Sequence, residues 1–420
     1  MSDLLDRRAR ALGPNVPTFY KTPIHLVRGE GVWLWDVNGK RYLDCYNNVP
    51  HVGHCHPHVV EAIARQAATL NTHTRYLHEG ILDYVDRLTS TFDHGLSQAI
   101  MVCSGSEAND IALRMAQAVT GKRGIIATNA TYHGNTTAVS QLSRRKPPIG
   151  GYPEHVRLVP APMTLSSLGG SMSAQAAAFA DGVKQAIEEL EENGSGFAGF
   201  MVCPIFANEG LPDLPDDFLK PAADTVKEAG GLLICDEVQP GFGRTGRGMW
   251  SHSWMGIAPD VVTLGKPMGN GHPVAACVAR EDVLGAFREA FGYFNTFGGN
   301  PVSCAAAMAV LDVIEEEGLV DHAARMSPMV VDQLKNLNFR ADASIRGRGQ
   351  FYAVELTRDG YPAADLAAWL IEELKDRGVL MGVIGPDRNI LKFRPPMPFD
   401  ETHADHLMTT MKHALDACTT

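Results

Sequence analysis

The 420-residue chain has no apolar stretch long enough to span a bilayer, which excludes a membrane-crossing helix at this level of reading. It has no basic run either: 37 Lys and Arg against 48 Asp and Glu leave a formal charge of −11, so no nucleic-acid or anionic-membrane partner is expected. The opening MSDLLDRRARALGP lacks the apolar centre of a secretory signal, and the expected compartment is the cytoplasm. Eight cysteines stand at positions 45, 55, 103, 203, 235, 277, 304 and 418 without a CxxC pair, which argues for buried free thiols rather than a disulfide framework. No internal repeat or low-complexity linker divides the chain. Its length suits one large domain plus a smaller one, with a core large enough to enclose a pocket.

One stretch is rich where the rest is sparse. HVGHCHPH crowds His51, His54, Cys55, His56 and His58 together. The spacing matches neither a C-x2-C nor an H-E-x-x-H pattern, so a turn leading into a helix is expected there and no metal.

Between about residues 100 and 280, apolar runs alternate with helical segments. AIMVCS, GIIAT, VRLVPA, GFMVCPI, LLICDEV, VVTLGK and VAACVA read as seven strands, separated by helices such as EANDIALRMAQAV, AAAFADGVKQAIEELEE and PDDFLKPAADTVKEAG. This alternation predicts an α/β fold, a mostly parallel sheet with helices on both faces. Downstream, a helix around Ala305 to Glu317 leads into RGQFYAVEL, a helix DLAAWLIEELKDRG, a strand ILKFRP and a last helix from near Thr402, a separate α+β unit. Near the start, GVWLWDVNGKRYLDC carries a hairpin signal around Asn-Gly.

In such a sheet ligands bind beyond the carboxyl ends of strands. Three of those ends carry unusual chemistry. In CSGSEAND a strand breaks into Ser104, Gly105 and Ser106 and a helix begins, a phosphate cradle or simply a capped loop. In LLICDEVQ, Asp236 follows four apolar residues, where a buried carboxylate calls for a cationic partner. In VVTLGKPMGNG, Lys266 sits at a strand mouth, where desolvation makes an amine nucleophilic. A cradle, an acid and an amine together suit pyridoxal phosphate, through its phosphate, its ring nitrogen and its aldehyde.

The series CSGSEAND, ATYHGN, LLICDEVQPGFGRTG, TLGKPMGNG and FNTFGGNP, in that order, resembles that of the class III aminotransferases, fold-type-I pyridoxal-phosphate enzymes. The resemblance implies a homodimer and roles by position. Lys266 would bond the cofactor aldehyde and Asp236 would bind the ring nitrogen. Gly105 and Ser106 would hold the phosphate, and Tyr132 would stack on the ring beside His133 and Gly134. Val238 would pack on the opposite face, Gln239 would approach the 3-hydroxyl, and Thr296 would reach the phosphate from the partner subunit. It also implies that residues 1–50 join the small domain, 51–305 form the cofactor-binding domain and 306–420 the C-terminal small domain.

One departure bears on the reaction. Many members carry two glutamates in a stretch here written CPIFANEGLPDLPDDFL, where Cys203 and Asn208 take their places. In several members the second glutamate masks the arginine of the RPP motif. That arginine, Arg394 in LKFRPPM, is kept and its partner is missing, unless Glu209 substitutes by a shift of one residue. An unmasked arginine suits a permanently anionic substrate. YLDCYNNVPHVGHCHP and LNTHTRYLHEGILDY resemble the phospho-lyase branch, which acts on ethanolamine phosphate and related phosphorylated amines. Arg75 is the second candidate for the substrate phosphate, with Tyr20 weaker and Asn48 and His51 as candidate pocket residues. The expected function is elimination of phosphate from O-phosphoethanolamine to give acetaldehyde, ammonia and inorganic phosphate. The alternative is an omega-aminotransferase moving an amino group between a terminal amine and a keto acid.

Overall fold

The computed structural model describes residues 2–145, 147–162 and 171–418. Near the N-terminus three short strands, β1 (Leu26–Glu30), β2 (Trp33–Asp36) and β3 (Arg41–Asp44), form an antiparallel meander, and the Asn-Gly turn joins β2 to β3. The large sheet follows: β4 (Gln98–Val102), β5 (Gly124–Thr128), β6 (Val156–Val159), β7 (Phe197–Val202), β8 (Leu232–Asp236), β9 (Val261–Leu264) and β10 (Ala275–Ala279), in the order β4-β10-β9-β8-β7-β5-β6. These are the seven strands expected from the apolar runs. Every residue of β5, β7, β8, β9 and β10 is buried, the continuous apolar pattern of a sheet covered on both faces.

Only β10 runs against its neighbours, β4 and β9. Being flanked by two strands that both oppose it, it leaves β4 pointing the same way as β9, β8, β7 and β5. The carboxyl ends of these five strands therefore open on one edge of the sheet, and the start of β10 joins them there.

The C-terminal unit contains β11 (Asp342–Gly347), β12 (Tyr352–Arg358), β13 (Tyr361–Pro362), β14 (Val379–Leu380), β15 (Gly382–Ile384) and β16 (Ile390–Phe393). Strand β14 pairs in parallel with β3, tying the N-terminal meander to the C-terminal unit. Val32, Leu43 and Cys45 accordingly share one core with Leu366, Leu370, Phe393 and Leu407. The sequence reading missed the helix Leu319–Lys335, because Gly318 before it and Pro328 within it both resemble breaks. Pro328 lies in a helix all the same, with Ala323, Met326, Val330 and Leu334 buried along one side.

The histidine cluster disperses on folding. His54 binds Asp44 at 2.7 Å, His56 binds Glu317 at 3.0 Å and His58 binds Asp312 at 2.9 Å. Of the cysteines, Cys55 is exposed and Cys103 half-buried, against the expectation of burial for all; the other six are buried, and all eight are free thiols.

Candidate active site

A cavity of about 320 Å³ opens at the common edge of the strands, and the topology explains its lining. Ser104, Gly105 and Ser106 follow β4; Tyr132, His133 and Gly134 follow β5; Cys203 and Asn208 follow β7. Asp236, Val238 and Gln239 come from the end of β8, Lys266 follows β9, and His272, Pro273 and Val274 lead into β10.

The cradle is the start of the helix Gly105–Thr120. Ser104 caps it: its Oγ accepts from the Glu107 amide at 3.3 Å, while Glu107 Oε2 accepts from the amides of Ser104 at 3.0 Å and Cys103 at 2.8 Å. The Ser104 hydroxyl is thus engaged by its own helix. The Gly105 and Ser106 amides, with no intrahelical carbonyl to reach, are the ones left for an anion. Glycine is required on both sides of this turn. A Cβ on Gly105 would stand 3.0 Å from the Val238 methyls, and one on Gly134, whose φ is +150°, would stand 2.6 Å from Ser106 Oγ.

Asp236, 5% exposed, has both oxygens engaged by donors. Oδ2 accepts from His133 Nδ1 at 2.6 Å and Asn109 Nδ2 at 3.1 Å; Oδ1 accepts from the Val238 amide at 3.0 Å. Behind them, Thr263 Oγ1 donates to Asn109 Oδ1 at 2.6 Å, and His133 Nε2 lies 3.1 Å from Thr131 Oγ1. His133 therefore holds the carboxylate, a more specific role than lying beside Tyr132.

Lys266 has φ +33°, a left-handed conformation rare for a residue with a side chain, and begins a short 3-10 turn with Pro267 behind it. The turn is clasped from outside: Asn270 accepts from the Val52 amide at 2.9 Å and donates to Gly53 O at 2.8 Å. Burial pushes the Lys266 ammonium below its ordinary range; the Arg394 charge adds to this and Asp236 opposes it. A lysine so placed is an amine ready to lose its proton.

Behind the cavity-lining Gln239, Arg394 is 8% exposed. Its Nη1 donates to Gln239 Oε1 at 2.7 Å and its Nη2 to Tyr46 O at 3.1 Å, while Nε has no partner. No carboxylate among the described residues forms an ion pair with it. Glu209 does not substitute for the missing glutamate: its Oε1 accepts from Thr128 Oγ1 at 2.6 Å and its Oε2 from the Asn208 amide at 3.1 Å. Burial lowers the Arg394 guanidinium to about 10. Beside it, Lys392 is buried as well, a residue the sequence reading passed over although a lysine inside the apolar run ILKF was the available signal.

Besides Arg394, which stands behind Gln239, five expected site residues lie outside the cavity lining in the single chain. The ring nitrogens of His51 are spent in the core, 2.7 Å from Phe242 O and 3.0 Å from Arg244 Nη2. Asn48 is buried with its Nδ2 unpartnered, next to the cavity-lining Val49. Tyr20 donates its hydroxyl to Met381 O at 3.1 Å. Arg75 is exposed, its guanidinium 3.9 Å from the centre of the Phe294 ring, and Thr296 lines a separate cleft with Phe294 and Glu107. The sequence reading in turn missed Asn109, Thr263 and His272, polar residues inside otherwise ordinary helix, strand and turn segments.

The family model described as Aminotransferase class-III matches residues 17–415. The chain belongs to the class III aminotransferase family. A Drosophila melanogaster protein named alanine–glyoxylate aminotransferase 2-like is 37% identical over 99% of this chain and 87% of its own. A Caenorhabditis elegans protein named ethanolamine-phosphate phospho-lyase homolog 1 is 36% identical over 98% of this chain and 93% of its own. Among solved structures, a phospholyase from Arthrobacter in complex with phosphoethanolamine superposes with a TM-score of 0.95 at 41% identity, covering 99% of this chain and all of that one. The fold is thus that of the fold-type-I enzymes of this class III family, and the cofactor is pyridoxal 5'-phosphate. The residues present fit it, with glycine-lined free amides for a phosphate, a buried carboxylate for a ring N–H and an unpaired lysine for an aldehyde.

Proposed function

We propose that this class III enzyme is a phospho-lyase that eliminates phosphate from O-phosphoethanolamine, or a related phosphorylated amine, giving acetaldehyde, ammonia and inorganic phosphate. The observation that carries this reading is Arg394: buried behind the cavity-lining Gln239, without a carboxylate ion pair among the described residues, and held by neutral oxygens. A cation so placed is unmasked whenever substrate arrives, whatever the state of the cofactor. The Arthrobacter phospholyase, in complex with phosphoethanolamine, supports the same substrate class.

Pyridoxal phosphate, when bound, supplies an electron sink for the carbon beside the substrate nitrogen. The chain supplies the rest. Asp236, fixed by His133, Asn109 and the Val238 amide, keeps the ring nitrogen protonated. Neutral Lys266 takes the proton from the carbon beside nitrogen. The freed electron pair forms a carbon–carbon double bond as the neighbouring C–O bond breaks, and phosphate leaves with that bond's electrons. Arg394 meets the charge as it grows on the departing oxygen, which favours the transition state over the ground state. The released enamine takes up water and parts into acetaldehyde and ammonia.

The test is to incubate the holoenzyme with phosphoethanolamine and no keto acid, then assay phosphate and aldehyde. Equal amounts of both are expected. Turnover that appears only with a keto acid acceptor supports the omega-aminotransferase reading instead, the activity that the Drosophila relative's name carries.

We also propose a homodimer in which Thr296 reaches the partner's cofactor phosphate and Arg75 its substrate. Both lie on a surface where Leu77 is 99%, Phe297 69% and Tyr76 66% exposed, far more apolar side chain than a free surface favours. Light scattering should give twice the chain mass, and Thr296→Ala should weaken cofactor retention about tenfold, the worth of one charge-assisted hydrogen bond.

A further inference from the structure

The side-chain oxygen of Gln239 accepts from two basic groups, Arg394 Nη1 at 2.7 Å and Lys392 Nζ at 3.2 Å. Turning the amide over would set its two N–H donors against those two donors, so the oxygen must face them. The amide nitrogen, which bonds no described residue, is thereby left on the side of the cavity that Gln239 lines.

Lys392 sits in β16, all four of whose residues are buried. Its Nζ also donates to Ala207 O at 2.7 Å and lies 5.0 Å from the centre of the Phe351 ring. No carboxylate among the described residues forms an ion pair with it. The charged or titratable groups around it are Arg394 and Lys266 as cations and Cys203 and Glu209 as acids; burial, more than either cation, pushes its ammonium well below the ordinary range. Charged or neutral, its nitrogen still donates to Gln239. A buried lysine with so little to hold its charge is costly unless it does something the fold alone does not need.

We infer that Lys392 is a positioning residue for the cofactor: it holds Gln239 with its oxygen turned from the cavity, so that the amide donates inward, and keeps it there when Arg394 turns to an anionic substrate. The first half requires only the cofactor; the second rests on the phospho-lyase reading. Arg394 alone cannot do both, because an arginine drawn to a phosphate releases Gln239 at the moment its orientation matters.

The experiment loads parent, Lys392→Met, Gln239→Leu and the double variant with pyridoxal phosphate and follows the visible absorption of the lysine-bound cofactor against pH. Losing a donor to the cofactor's ring oxygen favours the protonated form of the lysine linkage, so the midpoint should move to higher pH in each single variant. The double variant should move no further than Gln239→Leu alone. A Lys392→Met midpoint equal to the parent's, or a double-variant shift equal to the sum of the singles, overturns the inference. Lys392→Leu, fully apolar and shorter, runs in parallel and is read the same way should the Met variant not fold. Saturating inorganic phosphate should raise the midpoint further in Lys392→Met than in the parent; equal responses overturn the second half. Phosphate release from phosphoethanolamine is assayed separately, and its absence beside an intact midpoint shift overturns the lyase reading and that second half while the first stands.

Discussion

Asp236 at the cavity wall and the basic pair behind Gln239 are built on opposite plans. Around Asp236 the fold supplies three donors to one carboxylate and a further layer of Thr263 and Thr131 behind them, fixing the anion before any ligand arrives while Oδ1, which takes only one donor, can still accept another. Around Arg394 and Lys392 the fold supplies two basic side chains and only neutral oxygens. An anion fixed by its own donors suits a cofactor that stays. An under-neutralised basic pair is a vacancy in charge, suited to something anionic that comes and goes.

The sharpest way to break the comparison is at the lysine both sides serve. Lys266→Ala should lower turnover by about 10⁴-fold, the upper range for a missing general base, and abolish the lysine-bound absorption band. Turnover within tenfold of the parent would remove the base assignment. Next, Arg394→Met should lower kcat/KM for phosphoethanolamine about 100-fold, a loss of roughly 2.7 kcal/mol in the range for a buried charged contact, while leaving the cofactor band unchanged. An unchanged kcat/KM would show that the basic side does not read substrate charge. A deliberately mild test concerns pH. His51 accepts from Arg244, which fixes the proton on Nε2, and burial followed by the Arg244 charge pushes the ring well below its ordinary 6.5. The unfolded chain binds a proton near 6.5 that the folded one refuses, so this contribution is full above that value and is lost as pH falls below it. Urea unfolding should show a lower midpoint at about pH 5.5 than at about pH 7.5, by up to roughly 1.4 kcal/mol for one group over one pH unit, and His51→Gln should flatten the difference. A parent equally stable at both would refute it.

The difference between the two sides also explains what was legible in the sequence. Lys266, Asp236 and the Ser-Gly-Ser turn each punctuate the end of an apolar strand, and a chemical interruption of a simple pattern is visible in one dimension. Five of the seven strands were visible for the same reason: buried throughout, they read as continuous apolar runs. Asn109 and Thr263 were not, because each is a small polar residue inside a regular element and acquires meaning only when β9 and the helix after β4 are packed together. Arg394 could be found through its RPP motif, but its bareness could be argued only by comparison with a pattern; the fold shows Glu209 committed to Thr128. His51 misled because a histidine near glycine and proline looks available, whereas Arg244, nearly two hundred residues away, had already claimed it. Arg75 and Thr296 share a surface with no link in the sequence except through Phe294.

The stretch from Cys45 to Gly53 is gripped at both ends. Arg394 donates its backbone amide to Cys45 O at 2.8 Å and its guanidinium to Tyr46 O, and Asn270 clasps Val52 and Gly53. One wall of the chamber, Val49 included, is therefore a strap buckled at one end to the arginine and at the other to the turn bearing the reactive lysine. The arginine and the lysine's turn are thereby tied to one another through a single continuous segment of backbone.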